Sequence, residues 1–208
     1  MKSLEVFRNH IVTAPNVVDP EGVHHEFVSG MHGRKLDFDA IPTDSPLFDE
    51  WVTVTAQAIG RLYDGQALGN HVLLSVTNGT NRLVRPVAGL VKGGIVPLQT
   101  KKVSPKAVEL TAVAAETFAA MEPDFVLALE DVGTKGTTAA SAVAAARKAG
   151  ALRVEVLNTW QRRPELEELV GIGAVYNSMI HEDMPTLTAA ECQASGYCSQ
   201  DWELIEHA

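Results

Sequence analysis

Two adjacent carboxylates, Glu130 and Asp131, end the apolar run "VLALED", and the turn Gly133-Thr134-Lys135-Gly136-Thr137-Thr138 follows and opens into "TTAASAVAAARKAG". A turn between a strand and a helix presents backbone N–H groups and the positive end of the helix dipole. Threonine hydroxyls add further donors, so the turn suits a phosphate. Its order is neither the G-x-x-x-x-G-K-[ST] of nucleoside-triphosphate loops nor the G-x-G-x-x-G of dinucleotide folds. Carboxylates set just before a phosphate cradle repel a phosphate. They make sense if they bind hydroxyls or a metal-associated sugar while the cradle holds the phosphate of the same ligand, a division that describes a ribose 5-phosphate.

Such residues need an apolar strand before them and a helix behind them, and the flanking sequence predicts both. "DFVLALED" reads as a strand, and the alanine-rich segment as a helix closed by Arg147 and Lys148 near its negative end and by Gly150. "RVEVLNTW" predicts the next strand. Upstream, Ser45 and Pro46 open a helix with apolar residues at Leu47, Trp51, Val54, Ile59 and Leu62, which Asp64-Gly65 stops. "HVLLSVTNGTN" reads as a buried strand ending in a polar turn, and "GGIVPLQTKKV" as another ending in Lys101 and Lys102. "SPKAVELTAVAAETFAAM" has helical spacing from Ser104-Pro105, although its first turn also reads as a loop. Residues 1–45 read as short strands and turns around Gly30 and Gly33, a cap on the main sheet.

Alternating strands and helices with short links give right-handed βαβ units. The expected fold class is therefore α/β, a central parallel sheet flanked by helices on both faces. Open parallel sheets place ligands at the carboxyl ends of their strands. This directs attention to Thr77-Asn78-Gly79-Thr80, Lys101-Lys102, Glu130-Asp131 with its turn, and Gln161-Arg162-Arg163.

A length of 208 residues suits one domain. A formal net charge of −9 argues against coating nucleic acid or an anionic membrane, which requires a basic surface. No targeting segment or spanning apolar run is read, so a soluble, cytoplasmic protein is expected. Cys192 and Cys198 are expected as reduced thiols, and His24-His25, lacking a further spaced ligand, as surface residues.

"VLALEDVGTKGTT" is similar to the ribose-phosphate signature of type I phosphoribosyltransferases: an apolar strand, two acids, a spacer and a Thr-x-Gly-x-Ser/Thr turn. The resemblance implies that Glu130 and Asp131 hold the ribose hydroxyls of phosphoribosyl pyrophosphate, while Thr134, Lys135, Gly136, Thr137 and Thr138 hold its 5-phosphate. "FVSGMHGRKLDFDAI" looks like the N-terminal hood segment of orotate phosphoribosyltransferases, which implies base-binding roles for Ser29, Gly30 and His32. "VLNTWQRR" is similar to the strand after the signature helix, with Arg162 at the arginine that faces the base carboxylate and Gln161 in place of the usual acid. Lys101, Lys102 and Lys106 correspond in charge to the mobile catalytic loop, without its arginine and glycine, and Asn78, Gly79 and Thr80 match the pyrophosphate loop in position.

The resemblance covers about residues 25–165 well. It implies one phosphoribosyltransferase-like domain with a hood at about 1–45, a core at about 46–165, and a C-terminal extension at about 166–208 completing both. The implied partners are phosphoribosyl pyrophosphate and a nucleobase, orotate favoured, in a homodimer. Mg²⁺ is held through substrate oxygens, with Asp131 the candidate protein contact. Cleaving the C1–pyrophosphate bond makes a cationic ribose and an anionic leaving group, so catalysis consists of stabilising both and positioning the incoming nitrogen. Two rivals remain: a salvage transferase for a purine or uracil, and a non-catalytic regulatory module that binds phosphoribosyl pyrophosphate.

Overall fold

The computed structural model describes residues 3–19, 24–26, 31–63, 70–76, 78–184 and 186–196. In chain order the elements are α1 (Leu4–Thr13), β1 (His25–Glu26), β2 (His32–Gly33), a 3-10 turn (Phe38–Ala40), α2 (Pro46–Leu62), β3 (His71–Ser75), α3 (Asn78–Asn81) and α4 (Val84–Leu90). There follow β4 (Val96–Leu98), β5 (Thr100–Ser104), β6 (Ala107–Leu110), α5 (Ala112–Met121), β7 (Phe125–Gly133), α6 (Thr137–Lys148), β8 (Arg153–Gln161), α7 (Glu167–Gly171), β9 (Val175–His181) and α8 (Ala189–Ser195).

The main sheet has the order β4-β3-β7-β8-β9, and every pairing in it is parallel. Side chains of β7 alternate between two cores, as a strand's period of two dictates. Phe125, Leu127 and Leu129 pack with Phe7 and Ile11 of α1, Trp51 and Ile59 of α2 and Val87 of α4. Val126 and Ala128 pack with Phe118 of α5, Leu169 of α7 and the α6 residues Ala139, Ala142, Val143 and Ala146. The small side chains of α6 let it lie close against the sheet, which brings its first turn up to the β7 exit.

Helix α2 starts as its sequence predicts: Ser45 Oγ accepts the Phe48 N–H at 3.2 Å and Pro46 occupies the first turn, where its missing N–H costs nothing. Its Trp51 Nε1 donates to Thr159 Oγ1 of β8 at 2.8 Å, pinning helix to sheet. The reading of residues 1–45 as strands and turns misses α1, whose Phe7 and Ile11 are fully buried. The stop at Asp64-Gly65 lies outside the described residues. No described helix is long and apolar enough to cross a membrane.

The segment "QTKKVSPKAVEL" corrects the sequence reading. Lys101 and Lys102 do not end a strand of the parallel sheet; they lie on β5, which pairs antiparallel with β6 in a separate hairpin whose turn holds Pro105 and Lys106. Helix α5 begins at Ala112, capped by Thr111, rather than at Ser104-Pro105. The deciding contact is tertiary. Ser141 Oγ of α6 accepts from the Val108 N–H at 3.1 Å and donates to the Val108 carbonyl at 3.2 Å, holding β6 extended where local spacing allowed a helix.

Two further expectations change. Cys192, fully buried in α8, is disulfide-bonded rather than a reduced thiol; Cys198, the other cysteine, lies outside the described residues. His24 and His25 are half-buried and both have partners: His25 Nε2 pairs with Asp19 Oδ2 at 3.1 Å, and His24 Nδ1 sits 3.4 Å from Cys192 Sγ.

Candidate functional site

The β7 exit and the turn into α6 form the centre. Glu130 continues the α6-facing series of β7 and is 5% exposed. Burial, and then the neighbouring Asp131 charge, push its carboxyl well above the usual range. Its Oε2 is buried with no hydrogen-bond partner among the described residues, an acceptor that a ligand hydroxyl could satisfy. Asp131 is half-buried, and its Oδ1 accepts the Val132 N–H at 2.8 Å. Its other oxygen faces Gly79: a Cβ at Gly79 would lie 2.4 Å from Asp131 Oδ2 and 3.2 Å from Asp39 Oδ1. The structure thus brings Gly79 and Asp131 together, as the sequence-derived set requires, and adds Asp39, which sequence reasoning missed.

In the turn, Gly136 has φ +78°, a left-handed conformation that favours glycine, and a Cβ there would meet Leu169 Cγ at 2.9 Å. Gly136 occupies the N-cap position of α6 and supplies no side chain to its first N–H groups. By contrast, Ser3, Ser45, Thr111 and Thr188 cap their helices with side-chain oxygens. The α6 N-terminus can therefore offer donors to an anion. Thr134, Thr137 and Thr138 are half-buried around it and Lys135 is exposed.

Thr80 is fully buried, and its Oγ1 accepts the Val76 N–H at 3.1 Å, so its hydroxyl shapes the β3 exit. Asn78 begins α3 beside it, and Thr77 lies outside the described residues. Lys101, Lys102 and Lys106 are all exposed on the hairpin, and Lys101 Nζ stands 3.7 Å from Glu109 Oε2.

The second half of the site lies where β8 meets the hood. Arg162, 5% exposed, donates from Nη2 to the Arg34 carbonyl at 2.8 Å, and its backbone N–H donates to the Gly133 carbonyl at 2.9 Å. Burial, and then Arg163 and Arg34, bring its guanidinium down to about 10. Burial also lowers His24, helped by Arg34, His32 and Arg162, while Asp19 opposes the shift. Arg34 in turn grips the Asp19 carbonyl through Nε and Nη2 at 3.1 and 2.8 Å. His32 is buried and exchanges backbone hydrogen bonds with Leu187 at 2.7 and 2.8 Å, tying the N-terminal segment to the segment after β9. Ser29 and Gly30 lie outside the described residues.

The site is bipolar, with carboxylates at the β7 exit and a cluster of basic groups in the hood, inside a protein of net charge −9. Arg34 was not singled out in the sequence and His24 was read as a surface residue, because neither belongs to a spaced motif; only the fold sets them beside Arg162.

No family model matches the chain, and no curated protein matches it by sequence. Solved structures do match. Orotate phosphoribosyltransferase from Aeropyrum pernix is 17% identical with a TM-score of 0.54, over 93% of this chain and 98% of that one. The UMP synthase of Leishmania donovani is 12% identical with a TM-score of 0.63, over 96% of this chain and 40% of that one. Adenine phosphoribosyltransferase from Saccharomyces cerevisiae is 14% identical with a TM-score of 0.59, over 84% of this chain and 99% of that one. The chain has the type I phosphoribosyltransferase fold.

Proposed function

We propose that the protein transfers the phosphoribosyl group of phosphoribosyl pyrophosphate to orotate or a related acidic nucleobase and releases pyrophosphate. The observation that carries this reading is Arg162, a buried guanidinium among Arg34, His24 and His32 at the exit of the strand next to the acid pair. A guanidinium can hold a base carboxylate by two parallel hydrogen bonds, and low local dielectric strengthens them.

In this reading the α6 N-terminus, Thr134, Thr137 and Thr138 bind the 5-phosphate, Glu130 and Asp131 the ribose hydroxyls, and Asn78, Gly79 and Thr80 the pyrophosphate end. The C1–oxygen bond breaks with its electron pair going to pyrophosphate, and a ring nitrogen of the base forms the new C1–N bond with its lone pair, its proton passing to the released pyrophosphate or to water. The carboxylates lie where positive charge develops on the sugar, and Lys101, Lys102 and Lys106 supply charge to the leaving group from the hairpin. Asp131 and Asp39 offer hard oxygens around Gly79, a donor type that suits Mg²⁺, and Asp131 is the residue that would hold it. Held there, Mg²⁺ would supply positive charge to offset that of the leaving group. A homodimer in the cytoplasm accompanies this reading, and light scattering tests the dimer.

The likeness to adenine phosphoribosyltransferase favours a second reading, in which the base is a purine. One experiment separates them: incubate the protein with Mg²⁺, phosphoribosyl pyrophosphate and each of orotate, uracil, adenine, guanine and hypoxanthine, and measure pyrophosphate release. Release with orotate supports the first reading, and release with a purine alone selects the second. Donor binding without release for any base sinks both and leaves a regulatory binding module.

A further inference from the structure

We propose that Gln161 is a positioning residue, whose amide folds the 161–164 turn so that Arg162 faces the hood and the turn stays tied to the β7 exit. The inference rests on the reading above for what Arg162 does, but its geometry stands alone. Gln161 is 4% exposed. Its Nε2 donates to the Arg163 and Pro164 carbonyls at 2.7 and 3.1 Å, and its Oε1 accepts from Ser178 Oγ of β9 at 2.5 Å. Both amide N–H groups and the amide oxygen are thus used.

The backbone on either side is anchored in step. The Arg162 N–H donates to the Gly133 carbonyl at 2.9 Å, the Met184 N–H to the Arg162 carbonyl at 2.9 Å, and the Glu182 N–H to the Gln161 carbonyl at 3.1 Å. Arg162 lies between these bonds, so its guanidinium direction follows the fold of the turn. A carboxylate at position 161 cannot reproduce this arrangement. It accepts only, and would set its oxygens against two carbonyl oxygens that a neutral amide joins. The amide in place of the acid usual in similar enzymes therefore marks a turn closed on itself by side-chain donors.

The test uses Gln161→Glu and Gln161→Ala in the full chain, with Ser178→Ala as a milder variant should either fail to fold. The base KM of Gln161→Glu at pH 8 is expected to rise about tenfold, the scale of one buried unsatisfied polar group, with kcat and the donor KM within about twofold of the parent. Lowering the pH protonates the introduced carboxyl, which then donates one hydrogen bond, so the base KM recovers in Gln161→Glu and stays high in Gln161→Ala. The groups facing position 161 are Ser178, His181 and Glu182 of the β9 segment, with Arg8 of α1 on Glu182, and Arg162 and Arg163 on its own segment. Each profile is therefore read against the parent, which carries the same groups. Amide exchange supplies a readout independent of turnover: protection at Arg162 and Met184 falls about tenfold in Gln161→Glu while the α2 amides keep theirs. If the parent turns over no base, the proposed function fails and the exchange result alone decides the role of Gln161. Unchanged exchange at Arg162 and Met184, or identical pH profiles for the Glu and Ala variants, would overturn it.

Discussion

The carboxylate of Asp131 lies against the backbone of Gly79, with no room between them for a methyl group: a Cβ there would stand 2.4 Å from Asp131 Oδ2. Two strand exits therefore meet through a glycine and an acid. Gly79→Ala must displace the Asp131 carboxylate, so affinity for phosphoribosyl pyrophosphate is expected to fall at least about tenfold by calorimetry, the effect of losing one charge-assisted hydrogen bond. Gly60 of α2 is the control, with nothing among the described residues within 4 Å of its Cβ position. Gly60→Ala is expected to stabilise the fold by about 1 kcal/mol and to leave donor binding alone. Equal donor affinity in the two variants would remove Gly79 from the site.

In the proposed function Arg162 carries the base-binding half. Arg162→Ala is expected to raise the base KM about a hundredfold, from the loss of a paired, charge-assisted contact, with donor affinity within about threefold. Arg162→Lys is expected to recover less than about a tenth of that loss, because an ammonium on a flexible stem cannot present two parallel donors. Steady-state pyrophosphate release at varied base concentration makes the measurement. Full recovery by lysine would show that charge alone suffices, which a two-bond grip does not allow.

Glu130 makes a prediction about pH. Its folded-state value is raised above the unfolded one by burial and by Asp131, so between the two values the folded state holds a proton that the unfolded state does not. Stability therefore falls as pH rises through that window, and the deficit is complete above the folded value. Glu130→Gln removes the ionisation. Its Tm at pH 8 is expected to exceed the parent's by about 3 °C, the scale of a ~1 kcal/mol change in a chain of this size, with the gap closing as pH falls toward 4.5. A calorimetric Tm equal to or below the parent's at pH 8 contradicts a desolvated Glu130 charge.

The legible part of the fold is the part that local rules control. The strand before Glu130 has an unbroken apolar run, the turn after it has glycines and threonines where a cradle needs them, and α6 ends in Arg147 and Lys148 with Gly150 just beyond. The parts that stayed hidden depend on distant contacts. Helix α1 buries chiefly Phe7 and Ile11, too narrow a stripe to stand out among Arg8, Asn9 and His10. Ser104-Pro105 suits a helix start and a hairpin turn equally, and the choice falls to Ser141, more than thirty residues away. In the candidate site the acids and the glycine-threonine turn are contiguous, so their adjacency was readable. The hood is not, since Arg162 reaches Arg34 across 128 positions and no spacing rule joins them.

The lysine hairpin yields the last prediction. Its root is fixed on several sides: Thr100 Oγ1 donates to the Val76 carbonyl at 3.1 Å, the Thr111 N–H to the Gln99 carbonyl at 3.2 Å, and Val108 is held by Ser141. Its far end, with Lys102, Val103 and Lys106, is exposed. Any approach of the lysines to the leaving group must come from bending of that far end over a fixed root, because swinging the whole hairpin breaks buried hydrogen bonds. Lys102→Ala and Lys106→Ala should then lower kcat about tenfold each, with donor affinity within about twofold and Tm unchanged, since exposed side chains contribute little to stability. Ser141→Ala should do the reverse to the Tm, lowering it by about 3 °C through the loss of two hydrogen bonds to the root. Turnover, calorimetric affinity and Tm on the three variants separate these effects. Lysine variants with parental kcat would place the hairpin outside the reaction.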